Sequence, residues 1–440
     1  MAPATDLKIS RVLHAGYIFE FGKTRIIFDP IFENPFSGNC HAFPSVRFDS
    51  EQIRGLSFAA IFISHYHDDH CSFESLDLID RATPIYIHCV HEEMFTLIRE
   101  LGFKAVHQLK FGESVTIGDF AVKPWRPIDD DIDSILQIKV AGLNILNVVD
   151  SVIDPSSLEL LKSEGPWDLV LWPFQTMRET AVLTPSRGQP EDAEIPTEWI
   201  DELRALNPRY VVPSACQFLQ EPWSWYNKAL FPITYRKFAD EIRAALPPIN
   251  VVRMNPGTSF ILDHTTLRKV APLEWVIPVG DQDLDFKYDP TAIPTATSEI
   301  AKRFIPLNEN EKSRTLAFCK SELMKRYKAL EPTPFFENVK IWRLSIFDHH
   351  GVALKIHYKI KNHSIELTDQ PTSSISWSTE VPLAKLFAAF ELGETLTSMY
   401  LRIFAEGTEI DVLEDPLIRT LFHGRFGDYQ RDQLRRIPHN

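Results

Sequence analysis

Within six consecutive positions the chain places three imidazoles and two carboxylates: His65-Tyr66-His67-Asp68-Asp69-His70, preceded by Ser64. Nitrogen and oxygen donors of these types bind first-row transition metals. On an extended segment, side chains two apart point the same way, so His65 and His67 can grip one ion together. Asp69 and His70 lie beyond that pair, where a turning chain can aim them at a second ion. Two ions roughly 3.5–4 Å apart can share one bridging oxygen species, the basis of two-metal catalysis. A single histidine in such a place would normally make a local hydrogen bond in a polar turn. Three histidines with an aspartate at this spacing point to a metal site.

The motif follows Phe58-Ala59-Ala60-Ile61-Phe62-Ile63, a continuous apolar run suited to a strand buried on both faces. Before it, residues 9–13, 17–21 and 24–28 alternate as a strand meander punctuated by Gly16 and Gly22. After it, a strand is expected at 85–88 and a helix at 92–100 with Gly102 past its end. Further strands are expected at 114–117, 121–124, 137–140, 144–149, 169–172, 210–213 and 250–254, with helices at 199–206 and 238–245. Strands alternating with helices predict an α/β fold.

The motif and this strand order resemble the metallo-β-lactamase superfamily over about the first 260 residues. The resemblance implies a four-layered αβ/βα sandwich with metals at one rim of two facing sheets. The early His14-Ala15-Gly16 turn and Asp29-Pro30 are also similar to what precedes the motif in many members. There Asp29 would orient a ligand histidine, although an Asp-Pro pair is equally an ordinary turn. The family also places a metal-bridging aspartate just past a strand, and Leu146-Asn147-Val148-Val149-Asp150-Ser151 fits that pattern. Asp69 and Asp150 are therefore the expected catalytic carboxylates.

Two departures follow. Most zinc hydrolases of this family have a histidine about 20 residues before the bridging aspartate and another after a later strand. This chain has no histidine between His107 and His264. The corresponding stretches read Ile128-Asp129-Asp130-Asp131-Ile132-Asp133 and Val212-Pro213-Ser214-Ala215-Cys216-Gln217. Four aspartates in five residues predict that a carboxylate replaces the first imidazole. Asp131 is the first choice, with Asp130 and Asp129 behind it. The expected metal ligands are thus His65, His67, Asp69, His70, Asp131 and Asp150. Two histidines and one carboxylate with open positions are typical of non-haem iron oxygenases, and hard oxygen donors favour iron or manganese over zinc. The pattern is similar to the di-iron minority of the superfamily. This implies two divalent metal ions, iron favoured with zinc or manganese as the alternative, and a di-iron oxygenase that hydroxylates or N-oxygenates an organic substrate. The alternative is a zinc or manganese hydrolase of an ester, lactone or phosphodiester. A binding protein with a decayed second site is the third reading.

The run Asp411-Val412-Leu413-Glu414-Asp415-Pro416-Leu417-Ile418-Arg419, with Tyr429-Gln430, resembles CMP-sialic-acid hydroxylase. No Cys-x-His…Cys-x-x-His pair accompanies it, so an oxygenase would need an external electron donor. Cys216 reads as a small buried thiol, and His88, His91, His107, His349 and His350 as structural or surface residues.

The expected domains are residues 1–265 for the metal-binding part, 266–297 for a Pro- and Asp-rich linker, and 298–440 for a smaller α+β domain. In the last, strands at 342–347, 353–360 and 375–378, a helix at 382–392 and a strand at 397–404 resemble the sterol-carrier-like fold. That domain would hold a small, apolar substrate over the metal rim, or serve packing or a homodimer. The aromatic runs at 223–226 and 231–235 could wall such a pocket.

The 440 residues carry 46 Lys+Arg against 60 Asp+Glu, a formal charge of −14, which disfavours nucleic acid and anionic membranes as partners. No run approaches the ~18–20 apolar residues of a membrane span. The five scattered cysteines contain no CxxC, a reducing-compartment pattern, and the first residues lack the features of a secretory signal. A cytoplasmic location is expected.

Overall fold

Strand Ala60–Ile63 is buried at every residue and runs parallel to both neighbours, Thr24–Phe28 and Ile85–Ile87, as its unbroken apolar sequence requires. A computed structural model describes residues 6–185, 193–369, 374–405, 412–422 and 427–438. In it the early meander forms antiparallel pairs among Leu7–Arg11, Tyr17–Phe21 and Thr24–Phe28. Gly16 closes the first turn because a Cβ there would lie 2.7 Å from the carbonyl oxygen of Asp29.

These strands belong to an eight-stranded sheet that Val106–Gln108 ends on one edge and Ser259–Leu262 with Leu267–Val270 on the other. A second sheet of seven strands runs from Asn250–Val251 through Tyr210–Ser214, Leu169–Pro173, Leu143–Asn147 and Ile135–Val140 to Phe120–Trp125 and Val115–Ile117. Their inner faces share one apolar core in which Tyr17, Phe19, Phe28 and Phe62 meet Leu136, Ile138, Leu171 and Val212. The outer faces pack against helices in a second core. The chain therefore has the four-layered αβ/βα sandwich that the sequence predicts. The helix Glu92–Glu100 buries Met94, Phe95, Leu97 and Ile98 on one side, the spacing that marked it in the sequence.

Residues 266–297, expected as a linker, begin as part of the sandwich. Leu267–Val270 pairs with Ser259–Leu262, and Val276–Pro278 pairs with Val46–Phe48. Alternation in these short strands is weak because they sit at edges, with more than half of their residues exposed.

The C-terminal part forms a five-stranded sheet in the order Ser364–Leu367, Ala353–Lys361, Lys340–Phe347, Trp377–Pro382 and Arg402–Ala405. Ser364–Leu367 was not anticipated; it returns from Lys361 through a tight turn with Asn362 at φ 50°. The expected helix appears as Leu383–Phe387 followed by a wider turn, Ala388–Leu392, and stops at Gly393 in the left-handed region. The strand expected at 397–404 starts later, because Leu396–Met399 forms a 3-10 turn. The outer core is continuous from the sandwich into this module, through Trp342, Tyr358, Trp377 and Leu417. Among the described residues no helix is long and apolar enough to cross a membrane.

Candidate metal centre

Past Ile63 the chain leaves the sheet and turns, with the His70 and Cys71 amides both donating to the His67 carbonyl at 3.0 and 2.8 Å. This turn divides the motif between two clusters. In the first, the Nε2 of His65 lies 3.0 Å from the Nδ1 of His67 and 3.7 Å from a carboxylate oxygen of Asp133. In the second, the Nε2 of His70 lies 3.2 Å from Asp150 Oδ2, 3.2 Å from His14 Nε2 and 3.8 Å from Asp69 Oδ1, while His14 Nε2 lies 3.2 Å from Asp69 Oδ2. Within each cluster the ligand atoms lie within 4.8 Å of one another, a spacing that could hold a metal ion. The rings of His65 and His70 are 4.1 Å apart, so the clusters adjoin.

The segments that bring these groups together are strained or tied down. Two residues past the strand Leu143–Asn147, Val149 has a φ of 64°, costly for a β-branched residue, and this swings Asp150 onto the rim. The Asn147 side chain steadies that turn by accepting from the Val149 amide at 3.2 Å. His14 also has a positive φ, 54°. Its carbonyl accepts from the fully buried guanidinium of Arg11, which also donates to the carbonyls of Pro213 and Met254. One cation thus ties the first hairpin to the end of the late strand. On the other side, Ser134 donates to the Ser64 carbonyl at 2.7 Å and holds the acidic loop against the motif.

Asp29 sets the protonation of two ligands. Its carboxylate accepts from the Ser64 amide at 2.7 Å and the Ser64 hydroxyl at 2.8 Å, and His70 Nδ1 approaches it at 3.1 Å. His70 therefore keeps its proton on Nδ1. Ser64, having donated to Asp29, accepts from His65 Nδ1 at 3.0 Å. Both Nε2 atoms face the clusters, the side that a metal-binding histidine presents to its ion.

Electrostatics separate the two clusters. Burial, reinforced by the adjacent His70, pushes the His65 imidazole down to about 4. Burial and the Asp150 charge raise Asp133 to about 6. In the second cluster burial opposes ionisation, but His70 holds Asp69 and Asp150 well below the usual carboxylate range. Burial likewise opposes a charge on His70, yet Asp150 and Asp69 raise its pKa well above the ordinary value. The neighbouring Asp68 accepts from the Ser37 hydroxyl at 2.5 Å, and burial with the Asp69 charge lifts it to about 7.

Four imidazoles and three carboxylates converge here with most lone pairs facing inward, and Asp150 Oδ1 is buried with no hydrogen-bond partner among the described residues. Such a gathering of acceptors is unfavourable without a cation, so the residues fit two metal ions.

The structure corrects one expected position and adds one. Asp131 is exposed and lies in neither cluster; Asp133, two residues on, faces His65. The Ile132 and Asp133 amides both donate to the Asp129 carbonyl, and this turn points Asp131 outward. Asp129 is exposed, and Asp130 pairs with Arg126 at 3.2 Å. The spacing to Asp150 favoured Asp131, but the chain coils through 129–133 and spacing lost its meaning there. His14 was read only as part of a turn. Its signal was a histidine set among apolar neighbours, Val12-Leu13-His14-Ala15, beside a glycine. His65, His67, Asp69, His70 and Asp150 are all in the clusters. Cys216 is buried near them, bonded to Met177 at 3.8 Å. His88 bonds the Asp130 carbonyl at 2.9 Å, and His91 packs on Tyr66.

The C-terminal helix Asp428–Arg436 reaches the motif directly. The buried Gln430 amide donates to the carbonyls of Tyr66 and Cys71 at 3.0 and 2.9 Å. The buried Gln433 accepts from the Phe73 amide at 2.7 Å and donates to Ser72 at 3.0 Å. Asp415 accepts from Trp377 and Thr379 inside the module. Asp411, at the start of the run read as similar to CMP-sialic-acid hydroxylase, lies outside the described residues.

No family model matches this sequence, and no curated protein matches it. Among solved structures the chain is similar to Igni18, a metallo hydrolase from the archaeon Ignicoccus hospitalis KIN4/I, with a TM-score of 0.43 and 14% identity over 59% of this chain and 100% of that one. It is similar to CmlA, a diiron beta-hydroxylase from Streptomyces venezuelae, with a TM-score of 0.42 and 16% identity over 60% of this chain and 55% of that one. A metallo-beta-lactamase fold protein, YhfI from Bacillus subtilis, gives a TM-score of 0.40 and 14% identity over 57% of this chain and 98% of that one.

Proposed function

We propose that the protein is a dinuclear metalloenzyme acting on a small organic molecule, and that it is a di-iron oxygenase drawing electrons from an external donor. The convergence of His65, His67 and Asp133 beside His14, Asp69, His70 and Asp150 carries this reading. Two imidazoles and one carboxylate with open positions make the first cluster suited to non-haem iron. Bound irons would supply dioxygen activation. Around them the chain's own groups do the positioning. Asp29 and Ser64 hold the imidazoles with their Nε2 atoms inward, and Asp150, whose charge also raises Asp133, would serve as a carboxylate ligand at the junction of the clusters. Asp69 completes the second cluster from its exposed side.

One observation favours a second reading. His14 gives the second cluster two imidazoles rather than one, which softens its preference for hard-acid metals. With zinc or manganese there, a metal-held hydroxide would hydrolyse an ester, lactone or phosphodiester.

Metal analysis and an absorption spectrum of aerobically purified protein test the two. Two irons per chain with a near-ultraviolet charge-transfer band are expected. Colourless protein holding two zincs would replace the oxygenase with the hydrolase. Sub-stoichiometric metal under all loading conditions would end both.

A further inference from the structure

Between the metal rim and the C-terminal module lies a cavity of about 320 Å³. Tyr66, His67 and Asp68 form its floor, and Leu396, Ile418, Leu421 and Phe422 line the opposite wall. His67 is the exposed imidazole of the first cluster, and it also lines this cavity. The space is therefore continuous with the ligand set rather than a separate crevice.

The wall is fixed in place. Gln430 itself lines the cavity, and its two hydrogen bonds to the Tyr66 and Cys71 carbonyls tie the helix Asp428–Arg436 to the floor. Pulling that helix away would leave a buried amide and two buried carbonyls unpaired, at a cost of roughly 1–3 kcal/mol for each group.

We propose that this cavity is the substrate pocket of the metal centre and that it takes a compact, uncharged apolar molecule of aromatic size, with its reacting atom turned toward His67. The inference rests on the two-metal reading above. Volume limits the occupant, since 320 Å³ is at the small end of ligand pockets, which span about 300–1,000 Å³. Chemistry limits it further. Leucine, isoleucine and phenylalanine side chains reward apolar area at roughly 25 cal/mol per Å². No lysine or arginine is among the described residues lining the cavity, whereas Asp68 and Asp428 are, so an anionic group meets carboxylates and no counter-charge there. The half-buried Leu396 lies along the wall, and Leu413, 69% exposed, marks the mouth.

Titration calorimetry with 2-naphthol on the metal-loaded protein tests this, with metal content measured on every sample. Wild-type protein should bind 2-naphthol and bind its anionic counterpart 2-naphthoate roughly tenfold more weakly or worse. Leu396→Trp fills the wall and should weaken 2-naphthol binding roughly tenfold while two metals remain. Leu413→Glu alters only the mouth, cannot disturb the core, and should weaken binding a few-fold. Protein that holds two metals but binds 2-naphthol equally well in all three forms, or not at all in wild type, overturns the pocket and leaves the metal centre standing. Protein that takes up no metal overturns the metal centre, and the pocket's role with it.

Discussion

The two metal clusters are built by opposite strategies. The first takes His65 and His67 from one short motif and Asp133 from a coiled acidic loop, and His67 stands open to solvent. The second draws His14, the pair Asp69 and His70, and Asp150 from three separate parts of the chain, and its two imidazoles are completely buried. Asp29, also fully buried, supports only the inner cluster directly, through His70. The inner cluster is therefore the rigid one, whose geometry is fixed by the sheets. The outer one can exchange ligands with water and substrate. In a two-metal enzyme this divides the labour, with one ion held and the other reached.

Removing a ligand from each cluster would sharpen or break that contrast. The largest effect is expected for His14→Ala. Loss of an outer hydrogen-bonding partner alone costs metal affinity 10–100-fold, so loss of a buried ligand should cost roughly a hundredfold or more. Metal content should fall from two ions per chain to one. Retention of both ions at full affinity would show that the inner cluster does not use His14.

Asp133→Ala should weaken the outer ion less, by roughly tenfold to a hundredfold, since water can take the vacant position. Asp131→Ala should leave both ions in place. Competition with a chelator measures each variant, and an Asp131→Ala protein that loses metal while Asp133→Ala keeps it would reverse the assignment.

Among the variants expected to lose affinity, the smallest effect is expected for Gln430→Ala. This change removes two hydrogen bonds to the loop that feeds both clusters, at roughly 1–3 kcal/mol of stability. Both ions should bind about tenfold more weakly, together rather than separately. A change confined to one cluster would mean that the clamp serves only that side.

The same contrast explains what was legible in the sequence. His65, His67, Asp69 and His70 could be found because they are contiguous and follow a strand whose apolar run is unmistakable. Asp150 was legible from a strand end followed by an aspartate. His14 was not, because its role depends on a left-handed turn and on Arg11, whose partners Pro213 and Met254 lie some 200 residues away. Asp131 was preferred, with Asp130 and Asp129 behind it, and Asp133 passed over, for a local reason. Counting residues back from Asp150 works along strands, and the chain turns back on itself at Asp129 before the strand Ile135–Val140 begins. The α/β class followed from alternating strands and helices, and the layers of the sandwich from the family resemblance that the motif carries. The pairing of Leu267–Val270 with the first sheet did not, because a short exposed edge strand carries little apolar pattern.

The clamp made by Gln430 and Gln433 also bears on how the protein is made. Gln430 is 364 positions away from Tyr66, whose carbonyl it holds. At usual synthesis rates of about 5–20 residues per second, the nascent motif emerges from the ribosome roughly 20–70 s before its clamp exists. Throughout that interval the motif has its ties to Asp29 and Ser134 but lacks the two hydrogen bonds from Gln430, so its loop is completed only when the last helix docks.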